Sequence, residues 1–448
     1  MVITRRRAPH HLPSGDAAHA RRQRQRVYVA SLVGSAVEFY DFLIYSTAAS
    51  LVFGTVFFAG VSPAIGVIAS FATLAVGYVV RPLGGIVFGH FGDRVSRKSA
   101  LIWTLMLMGV STALIGLLPT SAQVGALAPV LLIVLRLVQG LAVGGEWGGA
   151  VLMSVEHAKA NTRGLLGSAT QTGSAVGLLL SFVAFAALGG LSQEQFLSWG
   201  WRLPFLATLV LMAIGLYVRL RIEESPVLVA EQSKERPAHA PARPPLFALL
   251  RERPGRVLLA IGVDAGPFMA QAVVTSFLVS YATTTFGLPR QVLLNSLMIA
   301  SAGMLVTIPL FALLSDKVGR RPVYITAAIL TGVHAFVVFP MVGSGSTVSI
   351  VLAFVTGLTI LRAATVGPLG ALLSELFPTS SRYTGVSLAY QLAAVIGGGI
   401  GPLLAATFVA PGGPGIVAVS ALIAGFCVLS VVCVVAIGET RKVDLHRA

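Results

Sequence analysis

The chain has 448 residues, of which 55% are hydrophobic and only 11% are charged, and its mean hydropathy is +0.85. This composition excludes an ordinary water-soluble globular protein, because such a protein carries about 25% charged residues. The net charge of +15 could suit a nucleic-acid binder, but the placement of the charges indicates membrane topology, and no nucleic-acid partner is expected.

Twelve apolar segments follow one another along the chain, each long enough for a bilayer crossing of about 20 residues. They cover residues 27–57, 64–88, 100–118, 124–156, 164–189, 201–221, 256–286, 292–314, 322–341, 347–375, 383–410 and 414–437. Several exceed one crossing and are predicted to tilt or to extend into water. The predicted fold class is an all-α membrane protein of twelve transmembrane helices, with the lipid bilayer as its first partner.

The positive charges are concentrated on one side of this topology. Of the 32 Lys and Arg residues, 27 fall in the tails, loops and span ends of one side, two lie on the other side, and three lie in the interior of spans. The positive-inside rule places the basic side and both termini in the cytoplasm of a bacterial inner membrane. The basic tail precedes a span that contains acids and lacks a small-residue cleavage site, so it is not a signal peptide.

The first predicted helix carries two acids in an apolar stretch. Glu38, Asp41 and Tyr45 are spaced i, i+3 and i+7, which puts them on one stripe of the helix, facing a central cavity. Two carboxylates this close cannot both ionise cheaply away from water, so one is predicted to exchange a proton near neutral pH. Asp41 is the predicted proton site, modulated by Glu38. Alternatively, both acids are locked in structural ion pairs, one possible partner being Arg136.

The second predicted helix leads into a charged loop. Arg81 lies 12 residues before Asp93, nearer the cytoplasmic end, and is predicted to act in gating. The loop reads GHFGDRVSRK over residues 89–98. Asp93 can accept hydrogen bonds from a helix N-terminus or from Arg97, and Arg94 has carboxylates such as Glu156 within plausible reach. Such contacts would hold the inner face closed.

The fourth predicted helix carries Arg136, Gln139 and Glu146. Gln139 and Glu146 are seven residues apart and share a face, and Arg136 lies roughly 80° round the helix from Glu146. Glu146 joins the predicted proton-coupling acids. Arg136 has two interpretations: it binds a substrate carboxylate, or it is a counter-ion that responds to protonation.

The charged landmarks recur half a chain later, which indicates an internal repeat. Asp93 and Asp316 are 223 residues apart, Glu156 and Glu375 are 219 apart, and a glutamine followed by glycines recurs with a shift of 220. The predicted domains are a cytoplasmic tail (1–26), two six-helix bundles (27–221 and 256–437), a linker (222–255) and a second tail (438–448). Because six is even, the bundles are parallel repeats about an axis along the membrane normal.

The recurring acids and bases are predicted to form a cytoplasmic gate. It comprises Arg81, Gly89, Asp93, Arg94, Arg97, Lys98, Glu156, Arg163, Asp316, Arg320, Glu375 and Arg382. In the second copy of the loop Ser315 replaces a glycine and Lys317 an arginine, so that latch is predicted to be weaker. The alternative interpretation is ordinary positive-inside topology with incidental loop acids.

Further polar groups lie at membrane depth in the predicted spans. Arg362 is the only cation in the interior of the spans of the second half, and it is interpreted either as a substrate ligand or as the partner of Asp264. Asp264 is itself interpreted as a proton-binding site, as a substrate ligand or as a member of a buried ion pair. The residues predicted to bind a polar metabolite are Tyr45, Arg136, Gln139, Gln171, Asp264, Arg362, Tyr390 and Gln391.

The loop at 89–98 and the segment Arg-Leu-Val-Gln-Gly at 136–140 resemble two signatures of the major facilitator superfamily. The segments 37–42, 81–84 and 144–150 resemble its metabolite:proton symporter subfamily, which includes transporters for shikimate, citrate, 2-oxoglutarate and proline/betaine. The resemblance runs from about residue 27 to 437 and implies two six-helix bundles that rock about a central site. The chain ends about eleven residues after the last span, without the coiled-coil extension of osmosensing members. This favours an organic acid over an osmolyte.

No phosphate-binding loop, metal constellation or catalytic nucleophile is recognisable, so enzyme activity is not expected. The prediction is a monomeric secondary transporter that takes up a small polar metabolite with protons. The proton gradient is its energy source, and it uses no cofactor. The substrate expected is shikimate or a di- or tricarboxylate. The alternatives are a proline/betaine-type osmolyte symporter and a membrane sensor that kept the fold and lost transport.

Overall fold

The computed structural model describes residues 14–58, 63–188, 190–233, 245–409, 412–443 and 445, and within these ranges it contains helices and no strand. Several predicted regions lie partly outside the described residues. These are residues 1–13 of the first tail, 234–244 of the linker, 444 and 446–448 of the second tail, and the predicted span ends 189 and 410.

Twelve long helices follow in chain order. They are α1 (Ser14–Leu51), α2 (Pro63–Arg94), α3 (Arg97–Leu117), α4 (Leu127–Glu156), α5 (Ala160–Phe185), α6 (Arg202–Leu220), α7 (Pro254–Thr285), α8 (Arg290–Val318), α9 (Arg320–Gly343), α10 (Thr347–Ser374), α11 (Thr379–Val409) and α12 (Ile416–Ile437). Eleven of them are long and apolar enough to cross a membrane, and α2, with 32 residues, completes the predicted twelve. Short helices at Phe53–Val56, Ser121–Val124, Pro226–Gln232 and Pro245–Glu252 connect them.

Local sequence explains several helix ends. Ser96 begins α3 because its side chain accepts a hydrogen bond from the Ser99 N–H at 2.9 Å. Gly319 ends α8 because its φ of 117° disfavours any residue with a Cβ. The first helix begins at Ser14, thirteen residues before the predicted start of the first span, so the described part of the basic tail continues the helix.

The helices pack as two bundles with a shared interface. In the first bundle α1 packs on α5 and α2 on α4, and in the second α12 packs on α7 and α9. The two bundles meet where α2 packs on α11 and α5 on α8. Small residues permit the closest approach, since a Cβ on Gly84 of α2 would meet the backbone carbonyl of Leu141 on α4.

Three helices contain wider π-helical turns, at Val273–Phe277 in α7, Val355–Arg362 in α10 and Val395–Ile400 in α11. Such turns insert a residue into the helix and are frequent at functional sites. The turn in α10 ends on Arg362, one of the cations within the spans.

Candidate functional site

Asp41 lies at the centre of the first bundle and is held by neutral groups. Its carboxylate accepts a hydrogen bond from the Thr112 hydroxyl on α3 at 2.8 Å and from the Thr208 hydroxyl on α6 at 2.7 Å. The side chain is buried, and no cation among the described residues forms an ion pair with it. The predicted alternative, in which Asp41 is locked in an ion pair, is therefore wrong for this structure.

A chain of hydrogen bonds connects Asp41 to Arg136. The Arg136 guanidinium donates to the Gln139 side-chain oxygen at 3.1 Å, and the Gln139 amide nitrogen lies 2.6 Å from the Thr112 hydroxyl oxygen. Because arginine only donates, it fixes the amide of Gln139 with its nitrogen towards Thr112. The chain then ends at Asp41, its final acceptor.

A cavity of about 10 Å³, room for about one water molecule, lies beside this chain. Its polar lining consists of Glu38, Asp41, Arg81, Arg136 and Gln139. Within the described part of the chain, one carboxylate oxygen of Glu38 is buried without a hydrogen-bond partner. The cavity therefore brings together two acids and two cations from three helices.

The two arginines at the cavity rest on aromatic rings. Arg81 lies over Tyr78 at 4.2 Å from the ring centre, and Arg136 lies over Tyr45 at 4.1 Å. Neither forms an ion pair with a carboxylate in the described ranges, and the Nε of each is buried without a partner. Cation–π contact stabilises the positive charges while leaving donors for an anion.

Two sequence-based assignments at this cavity are corrected by the structure. Arg81 lines the cavity and is not part of the gate, because 12 residues of helix place it about 18 Å from Asp93. Tyr45 supports Arg136 with its ring, and its hydroxyl donates to Thr73 at 2.6 Å, so it does not present a hydroxyl to a substrate.

Glu146 belongs to a separate buried ion pair. Arg219 on α6 contacts both of its carboxylate oxygens, and the Thr104 hydroxyl donates to it at 2.7 Å. A Cβ on Gly34 would meet Arg219, so the glycine on α1 makes room for the pair. Glu146 was predicted to couple protons, and Arg219 was one of the 27 positive charges assigned to the basic side. Arg219 lies within the predicted span 201–221, and that position was the signal that it needed a partner.

In the second bundle Arg362 is fully engaged by the protein itself. Its guanidinium makes two hydrogen bonds to Asp264, at 2.6 and 3.0 Å, and its Nε donates to Gln271 at 2.6 Å. The Tyr324 hydroxyl adds a third hydrogen bond to Asp264 at 3.0 Å. Of the interpretations left open by the sequence, the structure shows the ion pair. Both terminal nitrogens of the guanidinium bind Asp264, so Arg362 cannot also bind a substrate carboxylate through two parallel hydrogen bonds.

The remaining predicted metabolite-binding residues lie between the bundles. Tyr390 stacks on Trp147 with ring centres 3.6 Å apart, and Gln391 donates to the carbonyl oxygens of Val143 and Gly144 at 3.4 and 3.3 Å. Gln171 lies close to the Tyr390 hydroxyl, and its buried side-chain nitrogen has no hydrogen-bond partner in the ranges that the structure describes. These groups cross the interface next to the acids of the first bundle.

The loop acid of each half caps a helix of the other half. Asp93 accepts hydrogen bonds from the backbone N–H groups of Tyr383 and Thr384 in α11, each at 2.9 Å. Asp316 accepts from the N–H groups of Gly164 and Leu165 in α5, also at 2.9 Å. A carboxylate at a helix N-terminus satisfies unpaired donors and opposes the positive end of the helix dipole.

A glutamate in each half completes these two latches. Glu156 pairs with Arg97 and, at 2.9 Å, with Arg382 of the other half. Glu375 lies 3.6 Å from Arg320 and 3.7 Å from Arg163 of the other half. We call the end of the molecule that carries both latches the basic face. The two bundles are held together there by a pseudo-symmetric set of buried ion pairs.

Several contacts of the predicted gate differ from those expected from the sequence. Glu156 pairs with Arg97 and Arg382, whereas Arg94 is exposed. The Lys98 ammonium donates to the Leu220 carbonyl at 3.0 Å, within its own half. Gly89 contributes through its small size, since a Cβ there would lie 2.8 Å from the Cα of Thr384.

The second copy of the loop forms a latch although its motif is degenerate. Ser315, which replaces a glycine, accepts a hydrogen bond from Arg320 at 2.8 Å, and Arg320 lies 2.6 Å from Asp316. Glu439 caps the start of α9 by accepting from the backbone N–H groups of Arg320 and Arg321 at 3.0 and 3.1 Å. Burial opposes the charge of Glu439, but these backbone donors outweigh it and lower its pKa.

Comparison with known proteins is consistent with this architecture. Residues 27–243 match the family described as sugar (and other) transporter, and residues 268–446 match the Major Facilitator Superfamily. The chain is 42% identical over 386 residues to the shikimate transporter of Escherichia coli (strain K12), which covers 86% of this chain and 88% of that protein. It belongs to the major facilitator superfamily. It is a multi-pass inner-membrane transporter and not an enzyme, as the sequence predicted.

Other members of the superfamily are similar over most of their length. Identity is 40% over 430 residues to the inner membrane metabolite transport protein YhjE of E. coli (strain K12), covering 94% of this chain and 96% of that protein. Identity to the proline/betaine transporter of Salmonella typhimurium is 32% over 391 residues, covering 86% and 78%. The proton:xylose symporter XylE bound to 6-bromo-6-deoxy-D-glucose shares the fold, with a TM-score of 0.76 at 18% identity over 95% of this chain and 98% of that one. The predicted twelve-helix fold of the superfamily is confirmed.

Weakening one latch of this transporter is expected to open its basic face. Asp93→Asn removes the charge from hydrogen bonds worth about 1.5–3 kcal/mol each, so the ratio of open to closed molecules should rise about tenfold or more. The measurement is maleimide labelling, in detergent, of a Ser387→Cys reporter, which is buried between the bundles. Lys317→Gln, at an exposed side chain, is the matched control. Unchanged labelling with Asp93→Asn would show that the latch does not hold this face closed.

Proposed function

We propose that the protein is a proton-coupled symporter that takes up a small organic acid by alternating access. The observation that carries this proposal is the setting of Asp41, a buried carboxylate held by two hydroxyl groups and connected through hydrogen bonds to a cation at the cavity. The proton gradient supplies the energy, without a bound cofactor.

The partners of Asp41 suit a group that gains and loses a proton. A threonine hydroxyl can donate to a carboxylate and can accept from a carboxylic acid, so Thr112 and Thr208 can serve both states. Thr112 also lies 2.9 Å from the Met108 carbonyl, which can take its hydrogen when Asp41 is protonated. An arginine partner would instead hold Asp41 ionised at every pH in the physiological range.

The cations at the cavity support an anionic substrate. Arg81 and Arg136 converge on the same space, and the guanidinium fork binds a carboxylate through two parallel hydrogen bonds. Arg362 is ion-paired with Asp264. In the described part of the chain, Arg81 and Arg136 are therefore the cations that line the cavity beside Asp41. A shikimate-like acid or another small carboxylate fits this set, and the 42% identity to a shikimate transporter supports it.

The closed basic face supports transport by rocking of the two bundles. The cavity of about 10 Å³ beside Asp41 is too small for a metabolite, so binding requires a rearrangement that enlarges it. Rocking of the bundles about their shared interface is the movement that the repeat architecture provides. The positive-inside rule places the basic face and both termini in the cytoplasm, so this structure represents a form closed to the cytoplasm. The bundles of one chain form the whole pathway, and we propose a monomer in the lipid bilayer.

One observation favours a second candidate substrate. The rings of Trp147, Tyr390 and Phe268 lie together between the bundles, with 5.9 Å between the centres of the last two. Aromatic faces bind quaternary ammonium groups, and betaine carries one beside its carboxylate. The 32% identity to a proline/betaine transporter agrees with this alternative.

A thermal-shift screen at acidic and neutral pH tests both candidates on the purified protein. Organic acids, betaines and amino acids are compared, and a ligand at about 100 times its Kd adds about 2.7 kcal/mol to the free energy of unfolding. We expect stabilisation by a shikimate-like acid that is stronger at acidic pH, and its loss in Arg136→Gln. Stabilisation by betaines alone would replace the substrate assignment, and binding independent of pH would contradict proton coupling.

A further inference from the structure

Asp264 is the repeat counterpart of Asp41. The two residues are 223 apart, the same shift that relates Asp93 to Asp316 and Arg97 to Arg320. Each lies on the first helix of its bundle, and each is nearly inaccessible to solvent. The two halves therefore carry the same acid at the same place in the repeat.

The surroundings of the two acids also correspond. Thr208 on α6 donates to Asp41, and Ser430, 222 residues later on α12, lies against the turn of α7 that carries Asp264. The Ser430 hydroxyl donates to the Gly262 carbonyl at 2.8 Å and accepts from the Gly266 N–H at 3.1 Å. The correspondence is thus one of structure as well as of sequence spacing.

The difference between the two sites is one cation. Arg362 on α10 corresponds to Val143 on α4 by the shift of 219 that relates Glu375 to Glu156 on the same two helices. Val143 lines the cavity beside Asp41. The first bundle therefore has an apolar side chain where the second has a guanidinium bound to its acid at two points.

Other titratable and charged groups around each acid do not change this contrast. In the described ranges, Tyr324 and His334 of α9, Tyr390 of α11 and Cys427 of α12 lie around the pair of Asp264 with Arg362. Asp41 faces Glu38 and Tyr40 of α1, Arg81 of α2 and Arg136 of α4. Only Asp264 has a cation in direct contact.

We propose that Asp264 is a second proton-binding site, and that its ion pair with Arg362 prevents it from taking up a proton. Paired with the guanidinium, its carboxylate stays ionised through the transport cycle. Without the guanidinium it is a lone buried charge, and such a group takes up a proton because an unpaired carboxylate is costly away from water. Arg362 thereby limits coupling to one acid of the repeat. This inference rests on the proposed function only in treating Asp41 as the working site.

Infrared difference spectroscopy of the purified protein in lipid tests the inference without requiring transport. Compared with the wild-type spectrum, the Arg362→Met spectrum is expected to contain an additional carbonyl band from a protonated carboxylic acid. This band should be absent from the double variant Arg362→Met/Asp264→Asn. Arg362→Lys, which keeps the positive charge, is the matched control and should add no band. Arg362→Gln, which keeps hydrogen-bonding capacity, serves if Arg362→Met does not fold.

The outcomes separate this inference from the proposed function. A folded Arg362→Met or Arg362→Gln protein with no added acid band, or with a band that persists after Asp264→Asn, would overturn it. A wild-type spectrum that Asp41→Asn leaves unchanged would instead contradict the proposed proton site. In proteoliposomes, whichever of Arg362→Met and Arg362→Gln still transports is expected to move up to two protons per substrate, compared with one for the wild type.

Discussion

Asp41→Asn is expected to abolish accumulation of substrate against its gradient while leaving downhill exchange intact. Asparagine has nearly the same shape and can hydrogen-bond to Thr112 and Thr208, so the bundle should keep its packing. It cannot bind a proton, so the coupling is lost. A gradient of one pH unit supplies about 1.4 kcal/mol per proton, equivalent to a tenfold accumulation, and this factor should fall to one.

Proteoliposomes with an acidic exterior provide the measurement, with counterflow of labelled substrate as the readout for exchange. Glu38→Gln is the matched control, because it neutralises the neighbouring acid of the same cavity. We expect it to retain accumulation with an altered dependence on pH. Full pH-driven accumulation by the Asp41→Asn protein would remove the residue from the coupling mechanism.

Arg136→Gln is expected to weaken substrate binding about 10- to 100-fold. The guanidinium is buried, its Nε has no hydrogen-bond partner among the described residues, and a hydrogen bond to a charged group is worth about 1.5–3 kcal/mol. The variant also removes the donor that orients Gln139 towards Thr112. The loss should therefore appear both in affinity and in its dependence on pH.

The concentration dependence of counterflow at neutral pH measures this loss. Arg362→Lys is the matched control, since it alters an arginine whose fork is filled by Asp264 and should change the apparent affinity little. If Arg362→Lys lost affinity and Arg136→Gln retained it, the substrate carboxylate would have to be assigned to the second bundle.

The sequence predicts the class of fold and the repeat well, because hydropathy and charge act locally along the chain. It identifies Asp93 and Asp316 as equivalent positions, since the same short motif surrounds both. It does not show that each caps a helix of the opposite half, because Asp93 and Tyr383 are 290 residues apart. The spacing within one segment contains no information on which helix faces it.

The same limit applies to the candidate site. Thr112 and Thr208 hold Asp41, yet a threonine in an apolar helix carries no sequence signal, since its hydroxyl often bonds to its own backbone. Whether Arg362 binds a substrate or Asp264 depends on how close two helices bring their side chains, and here the Arg362 guanidinium lies 2.6 Å from the Asp264 carboxylate. Arg219 was detectable in principle, as a charge within a predicted span that required a buried partner.

Proton movement driven by substrate alone is the sharpest test of proton-coupled symport by this protein. Substrate is added to weakly buffered proteoliposomes that have no pH gradient, and the external pH is recorded. Coupled symport predicts that the medium becomes more alkaline as protons enter with the organic acid. The Asp41→Asn protein and protein-free vesicles should show no such change in pH. Substrate entry through the wild-type protein without any change in external pH would rule out proton-coupled symport.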